Sequence, residues 1–256
     1  MAIEIFNRIE NKYLMTSGQY NILKQTLQEQ MLLDDQGIDP CYTISNIYYD
    51  TKDDYLIKHS LSKPDFKEKL RIRAYGQVTL DSMVFIELKK KINGVVNKRR
   101  SKIRLKDAYK MIKTKQLPQL KSYHNELVLR EIQFFLGRYD LKASTVISYD
   151  RCAYKQDEFR VTSDSNIQTR KDNLRLENGG YGDLLLEEDF VLLEAKSTGA
   201  FPIWFVTLLS QLQIYKSSFS KYGKDYIRRH KTIEERGVAQ LCWTQYLATH
   251  QKRLSH

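Results

Sequence analysis

Residues 84–100 read VFIELKKKINGVVNKRR, and this stretch decides the fold class. Asn93 and Gly94 stand between two runs in which apolar and charged residues alternate. An Asn-Gly pair in that position is the strongest short-range signal for a β-hairpin. The stretch therefore predicts two strands, Met83 to Ile92 and Val95 to Leu105, joined by a tight turn.

Further strands are predicted on both sides of this hairpin, because alternating, β-branched and aromatic residues recur there. They cover Ile3 to Leu14, Thr43 to Tyr49, Phe66 to Tyr75, Lys142 to Tyr154, Glu158 to Gln168, Leu184 to Leu186 and Phe190 to Lys196. Helices are predicted from the cap Thr16-Ser17-Gly18 to about Leu33, then over Lys106 to Lys115, Tyr123 to Tyr139, Pro202 to about Tyr215, and Asp225 to Arg236. Consecutive hairpin-like strands favour antiparallel pairing. We predict an α+β fold, a closed antiparallel β-barrel with helices inserted and packed outside. It forms one domain over residues 1–256, with a C-terminal helical segment from about residue 202.

Composition favours a polyanionic partner. The net charge is +11 and the pI is near 9.4, which suits nucleic acid, anionic lipid, nucleotide or polyphosphate. Cys41, Cys152 and Cys242 are far apart and odd in number, so we expect free structural thiols in a reducing cytosol and no disulfide. The charged N-terminus does not resemble a signal peptide, and no apolar run approaches the ~20 residues that span a bilayer.

Charged residues repeat with a period of two in several predicted strands, which places them on one face of each strand. These sets are Arg8, Glu10 and Lys12; Lys67, Lys69, Arg71 and Arg73; Glu87, Lys89 and Lys91; Lys98, Arg100, Lys102 and Arg104; Arg160, Thr162 and Asp164; and Glu194 with Lys196. For any one strand, a solvent-exposed polar face is the ordinary explanation. Basic residues outnumber acidic ones in the whole set, which favours a second explanation, in which these faces line the interior of the barrel.

A cation-lined interior needs compensating acids or a bound polyanion, because like charges a few Å apart repel. The oxygens along a phosphate chain accept hydrogen bonds from Arg and Lys side chains. Glu10, Glu87 and Glu194 would compensate the cations, and their hard oxygens suit Mg²⁺ or Mn²⁺. Cations with a divalent metal are what phosphoryl transfer requires. The register of the strand Lys98 to Arg104 is left open here, since a slip of one residue exchanges its two faces.

The sequence resembles the VTC domain, the polyphosphate polymerase domain of the vacuolar transporter chaperone complex. The resemblance covers most of residues 5–225 in eight stretches that occur in order: RIENKYL, NIYYDT, KLRIRAYG, VFIELKKKINGVVNKRR, SYDRCAY, FRVTSD, LLEAK and SFSKYG. It implies the antiparallel β-tunnel of the triphosphate tunnel metalloenzymes, the CYTH-like superfamily. Members bind a nucleoside triphosphate and a divalent metal inside the tunnel. The polymerase branch transfers the terminal phosphate of ATP to a growing polyphosphate chain.

The resemblance also implies roles for single residues. Catalytic phosphate contacts are expected from Arg71, Arg73, Lys89, Arg151, Arg160 and Lys221. Further phosphate binding is expected from Lys12, Arg8, Lys98, Arg100 and Lys196, and metal binding from Glu194, with Glu10 or Glu87. The first strand departs from the superfamily's ExExK pattern, because Arg8 replaces the first Glu. This departure makes a classical triphosphatase less expected.

We therefore expect a cytoplasmic, metal-dependent phosphotransferase that uses ATP and polyphosphate, with Mn²⁺ or Mg²⁺ as cofactor. The alternatives are a tunnel-type triphosphatase acting on inorganic or organic triphosphate, and a non-catalytic polyphosphate-binding domain. Nucleic acid is not expected as a partner, because the basic faces look poor in aromatic residues for stacking. A membrane-protein partner and a position at the inner face of a membrane are further possibilities.

Overall fold

A computed structural model describes residues 9–34, 41–187 and 189–230. The strands are β1 (Ile9–Thr16), β2 (Leu32–Leu33), β3 (Cys41–Asp50), β4 (Phe66–Tyr75), β5 (Met83–Ile92), β6 (Val95–Arg104), β7 (Lys142–Gln156), β8 (Phe159–Arg170), β9 (Asp183–Leu184), β10 (Phe190–Ser197) and β11 (Lys216–Ser217). The helices are α1 (Ser17–Gln30), α2 (Tyr55–Leu61), α3 (Leu105–Thr114), α4 (Glu126–Arg138), α5 (Ile203–Gln211) and α6 (Lys221–His230). A short 3₁₀ turn covers Leu176–Asn178.

All strand pairs are antiparallel and belong to one sheet, in the order β11-β1-β10-β8-β7-β3-β4-β5-β6, with β2 beside β7 and β9 beside β8. The predicted α+β class is confirmed. The predicted closure of the sheet into a barrel is not confirmed, because the strand pairing within the described ranges does not join β6 to β1 or β11. The sheet nevertheless curls. Lys12 Nζ on β1 donates to the carbonyl oxygen of Phe219 at 3.3 Å, and Lys69 Nζ on β4 donates to the hydroxyl of the next residue, Ser220, at 3.5 Å. Strands near opposite edges of the sheet therefore face each other across a concave surface.

Local chemistry explains the main elements. Asn93 and Gly94 have φ of 46° and 86°, so the predicted Asn-Gly turn joins β5 to β6 with both central residues at positive φ. Thr16 caps α1 through a capping box with Gln19, which satisfies two amide groups at the helix start. The residues of the predicted first strand before Ile9 lie outside the described ranges, as do those of the predicted last helix after His230.

Helices cover the outer face of the sheet on two sides. Leu70 and Ile86 of β4 and β5 are buried against Met111 of α3 and Leu129 of α4. A second core joins β1, β8 and β10 to α1 and α5, as the packing of Leu193 against Leu23 and Phe205 shows. Burial of these apolar faces fixes which side chains point to the concave surface, because neighbouring strand residues alternate between faces.

The expectation of free thiols is wrong for two of the three cysteines. Cys41 of β3 and Cys152 of β7 form a disulfide, with their Cα atoms 4.2 Å apart and 111 residues between them in sequence. The pair was hidden because β3 and β7 are distant along the chain, yet their antiparallel register sets these two residues directly opposite. The argument from free thiols to a reducing compartment therefore no longer holds. Cys242 lies outside the described residues.

Candidate functional site

The predicted charged faces of β4, β5 and β6 lie on the concave surface. Arg71 pairs with Glu87, and Glu87 pairs with Arg100 on the next strand. Side chains of directly paired residues share a face. Ser101 and Ile103 are buried on the other side of β6, which resolves the register that the sequence left open. Lys98 and Arg100 therefore share the concave face.

Glu87 links two of the predicted phosphate-binding cations. It is 1% exposed, and its Oε2 accepts a hydrogen bond from Arg71 Nε at 2.7 Å. Its Oε1 lies 2.9 Å from Lys98 Nζ. Burial alone would raise the pKa of Glu87, but Arg71, Arg73 and Lys98 hold it well below its usual range. Because both oxygens face cations, this arrangement suits a counterion better than the metal ligand that the sequence suggested.

Arg71 and Arg73 each bind a second group on the concave surface. Arg71 Nη1 donates to the hydroxyl oxygen of Tyr48 at 3.0 Å. Arg73 is buried, donating through Nε to Asn46 Oδ1 at 2.9 Å and through Nη2 to Tyr149 at 3.3 Å. Burial alone would raise the pKa of Tyr149, but the cations around its ring lower it, Arg73 most strongly. The guanidinium groups are thus oriented before any ligand arrives.

Asp164 brings together Arg151 and Lys221, which are 70 residues apart in sequence. Arg151 makes a bidentate pair with Asp164, at 2.6 Å from Nε and 2.8 Å from Nη2, and Lys221 Nζ lies 2.5 Å from Oδ2. Burial would raise the pKa of Asp164, but Arg151 and Lys221 lower it. The sequence placed Asp164 on a charged face without a role, and its period-two spacing from Arg160 was the available signal.

Two carboxylates lie beside each other at β1 and β10. Lys12 Nζ is 3.5 Å from Glu10 Oε1 and 3.7 Å from Glu194 Oε2. Lys196 also pairs with both carboxylates, at 3.5 Å from Glu10 Oε2. Burial alone would raise the pKa of Glu194, but Lys196 and Lys12 hold it well below its usual range. The two carboxylates thus share both lysines.

A divalent metal fits this pair of carboxylates only with oxygens from a ligand. The described residues contain no cluster of three or more His, Cys, Asp or Glu side chains. Mg²⁺ is commonly held by one or two carboxylates together with substrate phosphates. Glu10 and Glu194 match that donor set, whereas Glu87 is engaged by Arg71 and Lys98.

The remaining predicted residues are spread along the same surface. Arg160 lies opposite Lys196, and its Nε is 2.6 Å from Asp34 Oδ2. Arg100 places its guanidinium carbon 4.7 Å from the ring centroid of Phe85. Lys89 lies on the concave face, where its side chain keeps accessible surface although the surrounding protein atoms lower its pKa. Arg8 lies outside the described residues.

The expectation of aromatic-poor basic faces is wrong. Tyr42, Tyr48 and Tyr149 alternate with cations on the concave surface, since Tyr42 pairs with Arg151 and Tyr48 with Arg71. The expectation considered only the residues in the middle of the basic strands, where aromatic side chains are few. These rings come from β3 and β7, whose register against the basic strands was not visible from the sequence.

Helix α6 covers one end of the concave surface. Its Tyr222 donates to Asp50 Oδ2 at 2.7 Å, and Asp225 accepts from Thr145 at 3.1 Å. Arg228 donates to the Thr169 hydroxyl at 2.7 Å. The sequence predicts this helix only from Asp225, whereas α6 begins at Lys221, and its Asp225 and Tyr226 are buried against the sheet.

Within the ranges given above, no helix is long and apolar enough to cross a membrane.

The solved structures that share this fold include two with a TM-score of 0.53. One is a "putative adenylate cyclase" from Bacillus halodurans, 16% identical, with a TM-score of 0.53 over 88% of this chain and 97% of that one. The other is HpAC1 from Hippeastrum, a "putative adenylyl cyclase" whose description gives a dominant triphosphatase activity. It is 18% identical, with a TM-score of 0.53 and the same two coverages. At these identities the likeness is one of fold alone.

Sequence comparison decides the family. None of the curated proteins matches the chain, but the VTC domain family matches residues 7–228. That match covers most of the sequence and spans the strands, the disulfide and the charged residues described above. The resemblance seen in the eight ordered stretches is confirmed, and the chain belongs to the VTC domain family.

Proposed function

We propose that this chain is a metal-dependent polyphosphate polymerase that transfers the terminal phosphate of ATP to a growing polyphosphate chain. One observation carries the proposal: cations from seven strands and from α6 converge on one concave surface that also holds two adjacent carboxylates. The predicted residues on this surface are Lys12, Arg71, Arg73, Lys89, Lys98, Arg100, Arg151, Arg160, Lys196 and Lys221. Membership of the VTC domain family supports the same reading.

In this proposal the sheet encloses a tunnel, and its cations hold two phosphate chains in line. A terminal oxygen of the polyphosphate attacks the γ-phosphorus of ATP, the bond from that phosphorus to the β,γ-bridging oxygen breaks, and ADP leaves. Arg71, Arg73 and Arg151 would bind the non-bridging oxygens, on which charge is spread in the transition state. Because the protein groups are already oriented, positioning and charge neutralisation carry the step.

Glu10 and Glu194 would hold Mn²⁺ or Mg²⁺ together with phosphate oxygens. A bound divalent ion would polarise the transferred phosphoryl group and neutralise its charge. Glu87 would act as the buried counterion of Arg71 and Lys98. A cytoplasmic location and a membrane-protein partner stay predictions.

The test is incubation of the purified chain with ATP and Mn²⁺, followed by gel electrophoresis for polyphosphate. We expect long polymer and ADP, and we expect Glu194→Ala to abolish polymer while tripolyphosphate still binds. Exposed Glu126, which pairs with Arg130 on α4, provides the matched control in Glu126→Ala.

A tunnel triphosphatase is the second candidate, favoured by the fold shared with HpAC1 and the activity stated for that protein. It would release free phosphate from ATP or tripolyphosphate without polymer. A non-catalytic domain would bind polyphosphate and turn over neither compound. Either result would replace the polymerase proposal.

A further inference from the structure

Three aromatic rings lie together at the end of the concave surface opposite α6. Tyr42 is near the start of β3, Tyr75 ends β4 and Phe85 is near the start of β5, and antiparallel pairing sets these strand ends side by side. The ring centroids of Tyr42 and Tyr75 are 5.8 Å apart, and those of Tyr75 and Phe85 are 6.0 Å apart. We call Tyr42, Tyr75 and Phe85 the mouth aromatics.

The mouth aromatics continue the cation-lined surface without a break. Tyr42 pairs directly with Arg151, and Phe85 pairs directly with Arg73. Tyr75 follows Arg73 by two residues and so shares its face of β4. Tyr75 lies four positions after Arg71, a distance of about 13 Å along an extended strand. A ring at one end and guanidinium groups at the other suit a molecule with a flat group and a chain of phosphates.

The mouth aromatics still have accessible surface. Tyr42 is buried beneath its neighbours, whereas Tyr75 and Phe85 are partly exposed. The guanidinium of Arg100 lies over Phe85, so a cation that can bind a phosphate lies beside the rings. Tyr48 differs, because Tyr222 of α6 already stacks on it at 4.7 Å. The end away from α6 is therefore where a planar group can still be received.

We propose that the mouth aromatics bind the heterocyclic base of a nucleoside triphosphate while its phosphates lie on the cations of β4 and β7. This inference rests on the proposed function, and it assigns the residues that hold the base of the ATP donor and make a nucleotide bind more tightly than a bare phosphate chain. Every base offers a π-face to an aromatic ring. We therefore expect the affinity to differ strongly between a nucleotide and a triphosphate without a base, and only weakly among nucleotides with different bases.

The first experiment uses the wild-type chain and two ligands of matched phosphate chemistry. ATP and ribose 5-triphosphate are titrated by calorimetry in EDTA and again with Ca²⁺. Since stacking on an aromatic side chain is worth a few-fold to a hundredfold in affinity, we expect ATP to bind about tenfold more tightly. Equal affinities, or no binding of ATP, would overturn the inference.

The second experiment uses variants. Tyr75→Leu and Phe85→Leu are expected to weaken ATP binding about tenfold and to leave ribose 5-triphosphate within twofold. Tyr75→Phe keeps the ring and should keep the wild-type affinity for ATP. Phe66→Leu is the matched control, because Phe66 is a partly exposed ring on the opposite face of β4. An equal loss for both ligands would show a general change in the surface and would contradict base binding.

The polymer assay separates this inference from the proposed function. If the wild-type chain makes polyphosphate but does not distinguish ATP from ribose 5-triphosphate, the base site fails and the polymerase proposal stands. If the chain binds ATP more tightly than ribose 5-triphosphate but forms no polymer, the base site stands and the polymerase proposal fails. Displacement of ATP by a single-stranded oligonucleotide at lower concentration would point to a nucleic-acid ligand and would also overturn the inference.

Discussion

Asp164 is a buried carboxylate that positions two cations from distant parts of the chain. It holds Arg151 through two hydrogen bonds and Lys221 through a third. The buried carboxylate offsets the repulsion between these cations when no anion is bound. A phosphate ligand would take over part of that compensation, so the residue links folding stability to ligand occupancy.

We predict that Asp164→Asn destabilises the ligand-free chain by about 3 kcal/mol, because it leaves buried cations without their counterion. Tripolyphosphate should then raise the melting temperature more in this variant than in the wild type. Differential scanning calorimetry with and without the ligand measures both effects. Asp183→Asn is the control, since Asp183 is exposed and 4.0 Å from Arg229. An unchanged melting temperature in Asp164→Asn would refute this role.

In the proposed site, two lysines would make phosphate binding weaken as the pH rises into the alkaline range. Burial lowers the pKa of Lys69 and of Lys98 to about 8 each. Between pH 8 and the ordinary lysine range near 10.5, the unfolded chain binds more protons than the folded one, so these groups make stability rise with pH. Phosphate binding needs the charged ammonium groups, so the affinity for phosphate should fall over the pH range in which stability rises.

We therefore predict that the affinity for tripolyphosphate falls between pH 7 and 9.5 more steeply in the wild type than in a Lys69→Arg, Lys98→Arg double variant. Arginine stays charged over this range, and the comparison cancels ionisation of the ligand itself. Calorimetric titration at four pH values gives the two curves. Parallel curves would show that these lysines do not titrate at the site.

Individual elements differ in how far the sequence predicts them. The β5–β6 hairpin follows from one local turn and two alternating runs, and its bounds agree closely with the prediction. The charged faces of β4 and β5 follow from the same periodicity. The register of β6 could not be predicted in this way, because residues 95–100 are exposed on both faces. Only the burial of Ser101 and Ile103 distinguishes its two faces. The start of α6 was predicted four residues too late, because its contacts are with strands that are far away in sequence.

The disulfide is another contact that local patterns do not reveal. It joins β3 to β7 beside Arg151 and Tyr42, near the mouth aromatics. Loop-closure entropy gives about 4.7 kcal/mol for a loop of about 100 residues, and disulfides typically stabilise the folded state by about 2–4 kcal/mol. We predict that reduction lowers the urea midpoint of unfolding, and that the Cys41→Ser, Cys152→Ser double variant shows the lower midpoint with no response to reductant. A midpoint insensitive to reductant in the wild type would contradict the bond.

At the scale of the whole molecule, the curled sheet gives the concave surface two unlike ends. Helix α6 covers one end through Tyr222 and Asp225, and the mouth aromatics lie at the other. The arginines of β4 lie between them along that strand, and the carboxylate pair of Glu10 and Glu194 acts on Lys89 of β5. The sequence predicted which residue types would meet. It could not predict this order along the surface, because the order depends on the pairing of strands that are far apart in the chain.

The central claim is that a phosphate chain binds on the concave surface, between α6 and the mouth aromatics. A crystal structure of the chain with tripolyphosphate tests it most directly. We expect phosphate oxygens within hydrogen-bond distance of Arg71, Arg73 and Arg151. Tripolyphosphate bound on an outer face of the sheet, with these three arginines contacting protein groups alone, would contradict the account.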